Sequence, residues 1–326
     1  LIKSKKNVFR EIKDNAKYLD IPDVTNQLFL ILLGLISLIF IESTAERILI
    51  PLVNIFFCIL IIYFVSHYEK KPELSRRERS FTRFLRFWYP GFMIFFCFKE
   101  IYYIMINANK NLYDNYLIDI DRWLFGTDPA VFLSHYIDPF AVEFLQIAYG
   151  FFYVMPLIYA MELYFWHRYE ELKYASFVIF FGFYLSFIGY MLIPAIGPRF
   201  TIFNFSNIDM ELPGLFAAKF IRDVINFGES IPYGVADPEN YAQRDAFPSG
   251  HTLIVILITY LSHKIKSNSF YFYLPYSIIL IFSTVYLRYH YVIDLIAAVP
   301  IAMFTIWTAN KLYKGKINFG KLPRSL

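Results

Sequence analysis

The chain has 326 residues, of which 57% are hydrophobic, 21% aromatic and only 18% charged, with a formal net charge of +4. Charge that sparse belongs to a membrane protein rather than a soluble domain, and basic residues gathered in separate connecting segments speak against a nucleic-acid partner. Cys58 and Cys97 both fall inside apolar runs, so no disulfide framework is on offer.

Residues 1–23 carry Lys3, Lys5, Lys6, Arg10, Lys13 and Lys17 with no apolar core among them, and read as a cytoplasmic basic arm rather than a signal peptide. Eight apolar stretches follow, at about 24–41, 48–66, 87–107, 140–166, 174–194, 249–261, 270–287 and 292–309. A helix needs about 20 residues to cross a bilayer. Backbone in lipid must satisfy its own hydrogen bonds, so the expected fold is all-α, a polytopic bundle of about eight transmembrane helices. The first stretch is interrupted by Thr25, Asn26 and Gln27, and the sixth is short. The division expected is an arm (1–23), two accessory helices with a basic loop (24–86), a six-helix catalytic core (87–310) and a basic tail (311–326).

Lys and Arg set the orientation. Lys70, Lys71, Arg76, Arg77, Arg79, Arg83 and Arg86 crowd one connection; the loops 168–173 and 264–266 are basic; Lys311, Lys314, Lys316, Lys321 and Arg324 fill the tail. These segments and both termini are expected in the cytoplasm, leaving 42–47, 110–139, 195–247 and 288–291 outside. In the second of these, 111–132 alternates Tyr113, Tyr116, Leu117, Ile120, Trp123 and Leu124 with Asp114, Asp119, Asp121 and Arg122, the pattern of an amphipathic helix at the interface or of a plain lid. The long segment 195–247 repeats that pattern at 215–227 and reads as a cover over a site.

Arg199, Arg244, His251, Arg288, His290 and Asp294 all fall on the outer side of this topology. Ionisable residues at the edge of a membrane segment suggest function. His290 and Asp294 are spaced i, i+4, which would put them on one helix face, the carboxylate fixing one imidazole nitrogen and freeing the other as nucleophile or base. His251 follows Pro248-Ser249-Gly250, where a turn opening a helix would offer the Ser249 and Gly250 backbone to an anion. Arg199 and Arg288 supply planar forks suited to phosphate. The constellation reads as a phosphoryl-transfer site. A metal reading of His251, His290 and Asp294 lacks further Cys, His or Glu in those segments, so no metal and no cofactor are expected. Lys99 and Glu100, mid-way along the third stretch, are candidates for either a secondary role at the head group or a structural polar contact, and His67, His135, His167 and His263 read as ordinary interfacial histidines.

These stretches resemble the type 2 phosphatidic acid phosphatase (PAP2) superfamily, which includes membrane lipid phosphatases, phosphotransferases and soluble vanadium haloperoxidases. Gly197-Pro198-Arg199 is similar to the end of its first motif, Pro248-Ser249-Gly250-His251 matches the second, and His290-Tyr291-Val292-Ile293-Asp294 matches the third. The chain departs from the pattern at Leu192 and Phe200 in the first motif, and at Thr284 in the third, where the arginine is instead Arg288. That form, with the run 118–129, resembles the inositol phosphorylceramide synthase branch and its bacterial relatives. The resemblance covers about 112–309. It implies a six-helix core, and an integral enzyme of a bacterial inner membrane with its site facing the periplasm or a lumen. His290 would be a phosphohistidine-forming nucleophile, Asp294 its orienting partner and His251 the acid and base. Arg199, Arg288, Ser249 and Gly250 would hold the phosphate, with Arg244 and Lys99 as possible additions. The substrate expected is a lipid phosphate or phospholipid, with phosphoinositol-type transfer to a lipid acceptor as one outcome. The alternative is a non-catalytic transporter or binding protein for a phospholipid or polyprenyl phosphate.

Overall fold

The computed structural model describes residues 3–70, 76–108, 111–317 and 319. Lys71, Lys110, Lys321 and Arg324 lie outside the described residues. Fifteen α-helices and no strand are found among those described: α1 Lys3–Ala16, α2 Ile21–Phe40, α3 Thr44–Lys70, α4 Arg76–Ala108, α5 Asp114–Phe125, α6 Pro129–Ser134, α7 Pro139–Phe151, α8 Met155–Phe165, α9 Tyr169–Leu192, α10 Pro198–Thr201, α11 Ile208–Glu211, α12 Ala218–Gly228, α13 Gly250–Lys264, α14 Phe270–Tyr286 and α15 Val292–Leu312. Every one of the eight apolar stretches is helical. The expected single helix over 111–132 is instead two, α5 and α6, because Gly126 ends α5 in the left-handed conformation at φ 73° and Pro129 opens α6.

Five of these helices are long and apolar enough to cross a membrane: α2, α3, α4 over Ser80–Asn107, α9 and α15. α7 and α8, which bend by 50° at a short break, are long and apolar enough only together, and would add a sixth span if the pair crosses as one. Pro156 in the first turn of α8 lacks the N–H that would continue the ladder from α7, which accounts for the bend. The remaining two apolar segments are short, 15 residues in α13 and 17 in α14. At 1.5 Å per residue they extend about 22–26 Å, less than the hydrocarbon core, so the count of eight is met only if both are included.

The chain divides into two compact units, residues 1–108 with 168–181, and 109–167 with 182–326. In the first, Arg86 is buried and donates to Asp23 at 2.8 Å and to Asp20 at 3.1 Å, while the Tyr89 hydroxyl also donates to Asp23. Asn54 of α3 donates to the Leu30 carbonyl at 3.0 Å and to Glu100 at 2.8 Å, tying α2 and α4 to it. Glu100 thus has the cross-helix partner expected of it; its neighbour Lys99 is exposed on α4 of the same unit. The second unit holds both histidines of interest. Its α13 packs on α14 and α15, and its α7 on α12 and α14.

The Asp23 side chain has no solvent access, so stripping its cation leaves an uncompensated buried charge. Arg86→Met is expected to destabilise the protein by about 3–5 kcal/mol, and Arg86→Met with Asp23→Asn to recover part of that loss, as read by thermal unfolding in detergent.

Candidate active site

The second unit brings His251 and His290 into direct contact. His290 precedes α15 rather than lying on it, and the turn that carries it leaves α14 through Arg288, a non-glycine residue at φ 68°. His290 and Asp294 are therefore not on one helical face, as their spacing alone suggests. They meet because Asp294 occupies the third position of α15 and folds back over the helix start. Its Oδ2 accepts the Tyr291 N–H at 2.8 Å and lies 3.3 Å from His290 Nδ1. The same Nδ1 lies 2.9 Å from the Ala246 carbonyl oxygen. Two acceptors at Nδ1 require its proton, so Nε2 carries the lone pair, and Nε2 sits 3.2 Å from Nδ1 of His251. Burial pushes the His290 imidazole down to about 4, against the opposing pull of Asp245 and the Ala246 carbonyl. The ring is a neutral, oriented base at neutral pH.

His251 is placed by the turn before it. Ser249 caps α13, its hydroxyl accepting the Thr252 N–H at 3.2 Å, and its own N–H donates to the Asp294 carbonyl at 3.1 Å. The Gly250 N–H donates to the Tyr190 hydroxyl, and a Cβ on Gly250 would lie 2.4 Å from that oxygen. These two amides, expected to face an anion, here join α13 to α15 and α9. The imidazole of His251 stacks on Tyr149 at 4.5 Å between ring centres and packs against Phe152 at 4.3 Å, and its Nε2 is buried without a hydrogen-bond partner.

Arg199 is buried. One Nη donates to Asn226 at 3.1 Å, the other pairs with Glu229, and the guanidinium lies 4.7 Å from the ring centres of both Phe200 and Tyr289. Its charge bears on His290, and its Nε is a buried donor with no partner. Arg288 pairs with Glu211 and lies 3.6 Å from the centre of the Phe203 ring. Burial pulls its guanidinium below the ordinary value while Glu211 works the other way. Its backbone is closer to the site than its charge suggests, since its carbonyl accepts the Arg199 N–H at 3.1 Å. Arg244 lies half-buried in the loop before His251, two residues from Ala246. Lys99 belongs to the first unit.

Several residues of consequence are ones that the amphipathic pattern assigned to water. Asp114 accepts the N–H groups of Ile196 and Gly197 at 3.1 and 2.9 Å and the Tyr291 hydroxyl at 2.8 Å. Asp121 accepts those of Val292 and Ile293, both at 2.8 Å, at the start of α15. Asp114 and Asp121 are seven residues apart, on the α5 face that also buries Leu117 and Ile118, which was the available signal. Asp245, one residue before Ala246, has its carboxyl pushed above the usual range by burial and by Glu229, with His290 and Arg199 pulling it down. Glu229 sits beyond the end of α12 with no spacing rule to link it to Arg199. Among the described residues no group of three or more His, Cys, Asp or Glu could hold a metal ion.

The family model described as "PAP2 superfamily" matches residues 115–308, more than half of the chain. A PA-phosphatase related-family protein from Dictyostelium discoideum is 30% identical over 117 residues, which is 36% of this chain. The match covers only 19% of that relative's length. No solved structure matches.

Removing the Asp121 carboxylate would leave two N–H groups at the head of α15 without their acceptors. Asp121→Ala is expected to lower stability by about 1–3 kcal/mol, while Asp119→Ala, at an exposed position on the same helix, should stay within about 0.5 kcal/mol of the parent. Chemical unfolding in detergent compares the two.

Proposed function

Because the chain belongs to the PAP2 superfamily, we propose that it is an integral membrane enzyme that cleaves or transfers a phosphoryl group on a lipid phosphate. The observation that carries this reading is the His290 imidazole, with Nδ1 held by Asp294 and the Ala246 carbonyl and Nε2 turned toward His251. A binding protein has no need to fix a tautomer opposite a second imidazole.

In the proposed sequence the lipid phosphate enters between the two rings, replacing the His251 contact. Nε2 of His290 attacks phosphorus and the bond to the leaving oxygen breaks. His251, which burial keeps neutral in the free protein, takes up a proton beside the bound phosphate anion and gives it to that oxygen. Water or a lipid hydroxyl then loses a proton to His251 and attacks the phosphohistidine, which restores His290 and releases the product. The Nδ1 proton stays with Asp294 and Ala246 throughout, so the cation that develops on His290 faces a carboxylate. Arg199, with its unpartnered Nε, is the cation proposed to steady the equatorial oxygens; Arg288, Ser249 and Gly250 would contribute to that oxyanion site only by exchanging their present partners. Arg244 is a further candidate for the approach to the site, and no role is proposed for Lys99.

With water as acceptor the enzyme is a phosphatase, and with an alcohol a transferase. The departures at Phe200, Thr284 and Arg288 and the run 118–129 favour head-group transfer of the inositol phosphorylceramide synthase kind. The basic segments favour cytoplasmic termini, with the site on the outer or lumenal face of the membrane.

The test uses purified protein in detergent with radiolabelled lipid phosphates and phosphoinositol lipids, with and without a lipid alcohol. Free phosphate from water alone identifies a phosphatase; product only with the alcohol identifies a transferase. His251→Ala is expected to cost about 10²–10⁴-fold, and His290→Ala on the order of 10⁶-fold. Lipid that binds equally to parent and His290→Ala, with no product from either, would replace the enzyme by a transporter.

A free imidazole protonates near pH 6.5. Since that of His290 is held down to about 4, phosphoryl-protein trapped by rapid quench should persist as pH falls from about 7 to about 5. A loss centred near the free value would contradict the buried, neutral ring.

A further inference from the structure

α12 is mounted at both ends. At its start, Glu143 of α7 accepts four successive N–H groups, those of Leu215, Phe216, Ala217 and Ala218, at 2.6–3.1 Å. Along its length it lies close on α7, where a Cβ on Gly150 would stand 2.7 Å from Ile221 Cγ2. At its end, Asn226 and Glu229 hold Arg199. A helix fixed this way cannot roll to hide a face.

Its residues fall into three sectors at 100° per residue. Ala218, Arg222 and Ile225 are buried against the protein. Lys219 and Asp223 form a charged edge and pair with each other at 3.5 Å. The third sector holds Phe220, Val224 and Phe227, with Phe216 just ahead of the helix; Phe216, Phe220 and Phe227 are 92%, 69% and 85% exposed. Three phenylalanines turned outward by a rigid mount form a surface that wants a nonpolar neighbour.

The neighbour is indicated by what surrounds it. α7, on which α12 packs, is half of the bent apolar pair and leaves Phe140 and Phe144 uncovered. α5, bonded to the head of α15 beside His290, leaves Tyr116 and Trp123 uncovered in the same manner. Uncovered aromatic rings on three neighbouring amphipathic or apolar helices, with charges along one edge of α12, are the pattern of an interfacial belt.

We propose that the Phe216–Phe220–Phe227 face of α12 is a lipid-docking surface, dipping into the leaflet on the side where His251 and His290 lie. The helix then joins the bilayer directly to the residues that hold Arg199. Lipid is the occupant because the face is apolar and aromatic, flanked by a mixed charged edge, and borders α7, one half of an apolar pair long enough to enter the bilayer.

The experiment places a nitroxide on Phe220→Cys, and separately on Asp223→Cys, in phosphatidylcholine nanodiscs, with the unsubstituted protein controlling for buried Cys58 and Cys97. Relaxation by oxygen is compared with relaxation by a water-soluble nickel chelate. At position 220 oxygen is expected to dominate, giving a positive depth parameter, and at 223 the balance should shift toward the chelate. Chelate dominating at 220 would put water on that face. Shielding from both probes would put a second copy or another protein there. Either result overturns the proposal. Phe227→Cys repeats the measurement should label at 220 disturb the fold. The readout needs no turnover, so it stands or falls apart from the enzymatic reading.

Discussion

Taking a carboxylate out of water is costly unless several donors replace the solvent, and α5 does this twice. Asp114 gathers the amides at 196 and 197 together with the Tyr291 hydroxyl, and Asp121 gathers the amides that open α15. Each anion would be intolerable in its place without those donors, and each donor would be an orphan without the anion. The dependence runs in both directions. The loop that carries Arg199 and the turn that carries His290 are far apart in sequence and share no helix, so this one short amphipathic element sets their register. Gly197, at φ 89° and with a would-be Cβ only 2.6 Å from the Tyr289 carbonyl oxygen, shows how close the two loops are drawn.

A second constraint concerns charge. Arg199, Arg288 and Arg222 face Glu229, Glu211 and Asp209 respectively. All three carboxylates come from the stretch between Arg199 and Asp245. A guanidinium held in a buried site needs an anion to justify its charge, and that stretch supplies one for each. That stretch is thus an electrostatic complement to the buried arginines. It also means that any incoming phosphate meets cations that already have partners.

The helical fold was legible because membrane segments announce themselves by length and composition, and the eight apolar stretches did so. The bend between α7 and α8 was less so: Pro156 sits in an unbroken apolar run, and proline within a span need not break it. The motif residues of the site were legible as types, since a histidine and an aspartate at the edge of an apolar run demand explanation. Their geometry was not. An i, i+4 spacing implies a shared helix face only if both residues are helical, and His290 is not. The amphipathic pattern puts Asp114 and Asp121 on the wet side of a helix, because hydrophobic patterning treats every carboxylate as solvent-seeking. It has no means of seeing the backbone amides of distant loops that make these two exceptions. Glu229 and Asp245 carry no local signal at all, since their importance is created by chain closure.

The two acceptors that hold the His290 ring differ in kind. The Ala246 carbonyl that accepts the hydrogen bond from His290 Nδ1 belongs to the main chain, and every amino acid presents the same oxygen there. Drift at position 246 can alter the bulk near the imidazole but cannot delete its acceptor. The ring orientation therefore has one support written in side-chain identity, at Asp294, and one written in the path of the backbone. The first is open to a single codon change; the second yields only to a change of fold.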